Sequence, residues 1–176
     1  MTLDNIYNQE TITFLQQNPL LLNSLLATCE HNLDNVSNLI EKLLQSPQRC
    51  ELASFYIQAM TKGGKSFLAT NLAHKQSVQL TASASNWLLG RNSICQIFIP
   101  NHSVSRRHAL IGYFPESGFY ITDIGSTNGT RVNYSKINPL QRCLLQDGDL
   151  IQLGAVKLEF FVNDYQEQLD CQHVKH

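Results

Sequence analysis

The residues best suited to chemistry in this chain lie in three short polar motifs: Gly90-Arg91, Ser105-Arg106-Arg107-His108 and Gly125-Ser126-Thr127-Asn128-Gly129-Thr130. Each interrupts strand-like sequence. Loops of small residues that gather one guanidinium, one serine hydroxyl and a Thr-Asn pair suit the capture of a phosphate carried on a peptide. A phosphorylated side chain brings about two negative charges and three strong acceptor oxygens, so its receptor needs a fixed cation and several neutral donors.

Arg91, at a strand end after Gly90, can point its planar fork into a loop crevice, which a lysine does less well. Ser105 can supply a hydroxyl and a backbone N–H, and Arg106 a backbone N–H with a second charge. Arg107 alternates to the other side of an extended segment and reads as a solvated partner of an acid. Thr127 adds a hydroxyl, and the Asn128 amide, both donor and acceptor, suits clamping a peptide backbone. Gly125 and Gly129 permit backbone angles that a Cβ forbids.

In order and spacing these motifs resemble the forkhead-associated (FHA) domain, a phosphothreonine-binding β-sandwich. Ser105 follows Arg91 by 14 positions, and the run Asp-x-Gly-Ser-Thr-Asn-Gly-Thr occupies positions 123 to 130. The likeness spans roughly residues 65–163. It implies that Arg91 is a phosphate ligand and that His108 is architectural, holding two loops together. It also implies a niche for the threonine methyl, whose lining the sequence does not name. Side-chain choice beyond the phosphate is expected from residues 101–104 and 133–136. There the chain departs from the common pattern, with Tyr134 after Asn133 where glycine is frequent.

The elements that must position these loops follow from the pattern. From Ser66 onward, short runs rich in Ile, Val, Leu, Phe and Tyr alternate with Gly, Asn, Ser and Pro, as in an all-β sandwich of antiparallel strands. Expected strands cover residues 66–71, 77–80, 86–90, 96–99, 108–113, 119–123, 131–132, 142–144, 150–153 and 155–162. In the run 119–124, residues 119 and 121 face one side and 120, 122 and 124 the other. Gln146-Asp147-Gly148-Asp149 reads as a hairpin turn.

The first third reads as helices near residues 3–17, 19–30, 33–45 and 47–62. Val36, Leu39, Ile40, Leu43 and Leu44 share one helical face. Asn18-Pro19 and Ser46-Pro47 each look like an N-cap followed by proline at the first helical position. Gly63-Gly64 begins a linker. The fold class is therefore α+β in two domains: a helical region over 1–64, an FHA-like sandwich over 65–163, and a polar tail over 164–176.

Of the 176 residues, 43% are hydrophobic, enough for a core. The net charge of −1 conceals an asymmetry: residues 65–163 hold 9 Lys/Arg against 5 Asp/Glu, whereas residues 1–64 hold 3 against 6. The mildly basic module favours an anionic partner. Five scattered cysteines without a C-x-x-C pair argue for reduced thiols in a cytoplasm. No export signal or membrane-spanning segment is visible. Six dispersed histidines without an i, i+4 pair argue against a metal site. A pI near 6.6 without a basic helix argues against nucleic acid. Ser105, His108 and Asp123 suggest a hydrolase triad, but no G-x-S-x-G elbow, Walker A or zincin spacing occurs.

These features describe a cytoplasmic, non-enzymatic adaptor without cofactor. It is expected to bind phosphothreonine on a partner protein through Arg91, Ser105, Arg106, Thr127 and Asn128, supported by Gly90, His108, Gly125 and Gly129. A Ser/Thr kinase acts upstream. The alternative is a structural scaffold that assembles partners through its helices. Thr11 and Thr13 offer an intramolecular phospho-ligand, tethered so that its local concentration is high.

Overall fold

The computed structural model describes residues 9–62, 64–73 and 78–162. Helices α1 (Gln9–Gln17), α2 (Pro19–Thr28) and α3 (Leu33–Arg49) precede twelve strands. These are β1 (Phe55–Lys62), β2 (Lys65–Thr70), β3 (Gln79–Leu80), β4 (Asn86–Gly90), β5 (Ile97–Phe98), β6 (Ala109–Phe114), β7 (Gly118–Asp123), β8 (Thr130–Val132), β9 (Ser135–Lys136), β10 (Cys143–Leu144), β11 (Asp149–Leu153) and β12 (Val156–Val162). One sheet runs β3-β2-β1-β12-β11-β8-β9 and the other β10-β7-β6-β4-β5. The α+β class holds, with a helical region followed by a sandwich. Its ladders are antiparallel except where β1 pairs with β12 and β4 with β5. Among the described residues, no helix is long and apolar enough to cross a membrane.

Between the sheets lies a core of alternating inward residues, including Ile57, Trp87, Ile111, Phe119, Ile121, Leu158 and Phe160. The Phe119 ring is 6.2 Å from Trp87 and 5.8 Å from Phe160, stacked on the first and edge-on to the second. Phe119 and Ile121 face this core, as their alternation predicts. Tyr120 turns outward and stacks on Phe114 at 5.2 Å, with the Arg142 guanidinium over both rings.

The helices pack on the outer face of the first sheet. Val36, Leu39, Ile40 and Leu43 of α3 form the predicted stripe, and with Leu21 and Leu25 of α2 they cover Met60, Phe67 and Ala69. Asn32 caps α3, its side chain accepting from the Asn35 N–H at 3.2 Å. Pro19 opens α2 as expected, but Asn18 makes no side-chain cap. Its amide instead donates to the Phe14 carbonyl at 2.9 Å, and its Oδ1 accepts from the Val78 N–H at 2.9 Å, fastening the α1–α2 corner to the strands.

The fourth helix, expected over 47–62, is absent. Pro47 lies in the last turn of α3, and the Ser46 hydroxyl sits 2.8 Å from the Lys42 carbonyl within that helix. Residues 55–62 are β1, so the sandwich begins ahead of the Gly63-Gly64 boundary. The physical reason is burial on both faces. Ile57 and Ala59 face the sandwich core while Met60 faces the helices, so the apolar residues run on without the period-two alternation that marks a strand.

Glu159 of β12 secures the junction. Its buried Oε2 accepts from the backbone N–H groups of Glu51, Leu52 and Ala53 at 2.9, 3.1 and 3.2 Å. The turn at Gln146–Asp149 is also not a hairpin. It carries the chain from β10 in one sheet to β11 in the other, with Gly148 at φ +86° and its N–H donating to the Phe160 carbonyl.

Candidate functional site

The loops after β4, before β6 and after β7 meet at one end of the sandwich around a cleft of about 660 Å³. Gly90 makes the meeting possible. A Cβ there would lie 2.3 Å from the Arg106 carbonyl oxygen, far inside contact distance. Without it the backbones join: the Arg91 N–H donates to the Ser105 carbonyl at 3.0 Å and the Asn92 N–H to the Arg106 carbonyl at 3.1 Å. Arg91 Nε donates to the Val104 carbonyl at 3.2 Å, which aims the guanidinium and leaves both terminal nitrogens uncommitted.

Ser105 is bound on two sides. Its hydroxyl oxygen accepts from the Thr127 N–H at 3.0 Å, so the hydroxyl proton remains to be donated outward. Its backbone N–H, expected to face a phosphate, is instead given to His108 Nδ1 at 3.0 Å. Because Nδ1 accepts, the ring proton sits on Nε2, which donates to the Gly129 carbonyl at 3.0 Å. His108 is fully buried. Burial pushes its pKa down, against the opposing pull of the Gly129 carbonyl and the Asp123 charge. A neutral His108 with both nitrogens on backbone groups joins two of the loops and has no free lone pair for a general base.

Asp123 shapes the third loop. Its Oδ1 accepts from the N–H groups of Gly125 and Ser126 at 2.9 and 2.8 Å, and its Oδ2 accepts from the hydroxyls of Ser126 and Thr130 at 2.5 and 2.7 Å. Burial raises its pKa, but these bonds to Ser126, Thr130 and Gly125 outweigh burial and hold the carboxyl below its ordinary range. The Ser126 oxygen in turn accepts from the Gly129 N–H at 3.0 Å. Gly125 and Gly129 take φ of +93° and +83°, as the turn requires. Thr127 is thereby held at the surface. Asp123 and Ser126 were not among the expected site residues; an acid directly before a Gly-Ser turn is the signal that points to such an anchor. Asp123 does not contact His108 through a hydrogen bond, so the three residues form no triad.

The Asn128 amide donates to the Ser103 carbonyl at 2.8 Å. One of its protons is thus committed to the protein, and its Oδ1 and second proton are left for a ligand. Ser103 is itself fixed: its hydroxyl donates to Asn101 Oδ1 at 2.7 Å and accepts from the Ala155 N–H at 2.8 Å. Gly154 admits this approach, since a Cβ would come within 2.3 Å of the Ser103 carbonyl.

Arg91, Ser105, Arg106, Thr127 and Gly125 all line the cleft, while Asn128 and Gly129 flank it through the contacts above. Arg107, assigned to the opposite side by alternation, lines it as well, together with Asn92. None of the three guanidiniums forms an ion pair among the described residues; the pair there is Arg49 with Asp147 at 2.6 Å, beside Phe161. Thr11 is buried within α1 and Thr13 is exposed on it, its hydroxyl donating to the Gln9 carbonyl at 2.9 Å.

Residues 87–154 match the family model of the FHA domain. The chain is 36% identical over 81 residues to the glycogen accumulation regulator GarA of Mycobacterium tuberculosis, covering 46% of this chain and 48% of GarA. It is 41% identical over 71 residues to the oxoglutarate dehydrogenase inhibitor of Corynebacterium glutamicum, covering 40% and 47% of the two. The chain thus spans about half the length of each relative. Among solved structures, the N-terminal FHA domain of Rad53p from S. cerevisiae, in complex with a phosphothreonine peptide, is similar at 31% identity. That match covers 48% of this chain and 73% of that one, with a TM-score of 0.43.

Proposed function

We propose that this chain, whose residues 87–154 match the family model of the FHA domain, is a non-enzymatic adaptor whose cleft binds phosphothreonine on a partner protein in Ser/Thr kinase signalling. The observation that carries the reading is the set of donors left over once the loops have bonded to one another. Arg91 keeps its two terminal nitrogens, Ser105 its hydroxyl proton, and Thr127 a hydroxyl with no described partner, all on one cleft wall. Arg106 adds a second charge. These groups are already oriented, so binding costs little reorganisation, and each charge-assisted bond to a dianion is strong.

Asn128, anchored on Ser103, reaches with its remaining amide groups to the backbone of the ligand. His108, Gly90, Gly125 and Gly129 hold the loops in place. Two relatives are named for regulation or inhibition, roles that binding alone can fulfil. A cytoplasmic setting, where kinases act and thiols stay reduced, agrees with the free state of Cys29, Cys50, Cys95 and Cys143. The helices spend their apolar stripe on Met60, Phe67 and Ala69, which leaves that face unavailable to a scaffold partner.

The test is binding of a phosphothreonine peptide library to the wild type and to Arg91→Ala, with phosphoserine and unphosphorylated libraries as controls. Selective retention of phosphothreonine peptides is expected. Loss of Arg91 removes about 2–5 kcal/mol of the roughly 8 kcal/mol behind micromolar binding. Equal retention of all three libraries by folded wild-type protein would sink the reading.

A further inference from the structure

We propose that the cleft binds two anions at once, the phosphothreonine phosphate and a second negative group on a flanking residue of the same ligand, with Arg107 and Asn92 holding the second. The proposal rests on the phosphothreonine reading above and adds the class of ligand: a peptide in which a carboxylate or another phosphate adjoins the phosphothreonine.

The backbone explains why Arg107 is available. In a regular strand, successive carbonyls point to opposite edges and successive side chains to opposite faces. Here the carbonyls of Ser105 and Arg106 both accept from the N–H groups of Arg91 and Asn92, at 3.0 and 3.1 Å, so the alternation is broken at this point. Arg106 and Arg107 therefore share the cleft rather than dividing between it and solvent. The turn after Arg91 is closed on the same carbonyl: Cys95 donates its thiol proton to Arg106 O at 3.3 Å and its N–H to Asn92 O at 3.0 Å. The Asn92 Oδ1 is engaged by the Ile94 N–H at 3.2 Å, which leaves the amide protons of Asn92 as donors without a described partner.

Charge counting points the same way. Arg91, Arg106 and Arg107 bring three positive charges to the wall, none in an ion pair among the described residues. A phosphothreonine supplies about two negative charges. Asp123 does not supply the balance to the cleft, because its carboxylate is 2% exposed and turned into its own loop, bonded to Gly125, Ser126 and Thr130.

The experiment measures affinities of the full chain for phosphothreonine peptides carrying Asp, phosphoserine or Asn on either side of the phosphothreonine. Asp is expected to tighten binding about fivefold over Asn, the scale of an exposed charge pair, with phosphoserine at least equal to it. Arg107→Gln is expected to reduce that preference to within about twofold. Equal affinity of the wild type for all three peptides overturns the second anion site but not the first. A preference that survives in Arg107→Gln overturns the assignment to Arg107. Absence of binding to any phosphothreonine peptide overturns both readings. Tightening by phosphoserine alone identifies a second phosphate, rather than a carboxylate, as the group held.

Discussion

The Ser105 N–H donates to His108 Nδ1 at 3.0 Å, and the opposite nitrogen of the same ring donates to the Gly129 carbonyl. One buried imidazole therefore sets the distance between the loop that bears Ser105 and the loop that bears Thr127. It does so only while neutral, because a protonated ring has no acceptor for Ser105.

The pH dependence follows in sign. Burial lowers the folded-state pKa of His108 below its ordinary 6.5, so the unfolded chain binds more protons between the two values and stability rises with pH there. The contribution is complete above 6.5 and is lost as pH falls from 6.5 through the folded pKa. Urea midpoints of wild type and His108→Ala between pH 7.5 and 5 are expected to differ most at the upper end, with the variant less stable by about 2 kcal/mol. A constant gap across the range would contradict this role.

Gly90→Ala is expected to abolish ligand binding without removing a ligand-contacting side chain. The new methyl would meet the Arg106 carbonyl at 2.3 Å, and only backbone displacement relieves it. The variant should lose about 1–3 kcal/mol of stability, as overpacked sites do, and lose phosphopeptide affinity as fully as Arg91→Ala. Calorimetric titration beside thermal unfolding separates the two effects.

Glu159 fastens the connection between α3 and β1 to the sandwich. Its Oε2 is the acceptor for three consecutive N–H groups, so Glu159→Ala orphans all three at a cost of about 3 kcal/mol. Hydrogen exchange should accelerate at residues 51–53 first. Unchanged exchange there would assign the carboxylate no structural part.

Tyr134 and Asn133 both adopt positive φ, 70° and 49°, in the two-residue turn between β8 and β9. Asn133 suits the position, and its side chain also bonds to Asp149 and to the Leu150 N–H. Tyr134, 64% exposed, gains little there. Tyr134→Gly is expected to stabilise the chain by about 1 kcal/mol in chemical denaturation. A loss would mean that the ring has contacts stronger than its exposure suggests.

Tyr56 is the opposite case. Its hydroxyl is buried and without a hydrogen-bond partner, and burial pushes its pKa up, with Cys50 adding to the shift. Tyr56→Phe removes an unsatisfied polar group without opening a cavity, so the change in stability should be neutral to about 1 kcal/mol favourable. Destabilisation beyond that in urea unfolding would show that the hydroxyl has a partner, such as a bound water.

The sequence by itself determined the parts whose conformation is set within a few residues. The Asp-x-Gly-Ser turn is built by contacts between Asp123 and residues no more than seven positions away, and glycine, serine and asparagine carry that geometry in their own side chains. The α3 stripe and the strand 86–90 were legible for the same local reason. Tertiary structure alone decided the rest. Residues 55–62 form a strand because β2 and β12 pair with its two edges while the opposite sheet and α3 cover its two faces; no local pattern encodes burial on both faces. His108 reaches the Gly129 carbonyl 21 positions away, and Arg107 enters the cleft because two consecutive carbonyls turn toward Arg91 and Asn92. A hydrogen bond between segments of distant sequence satisfies one group at the expense of another, and which group is left for a ligand is known only once both segments are in place.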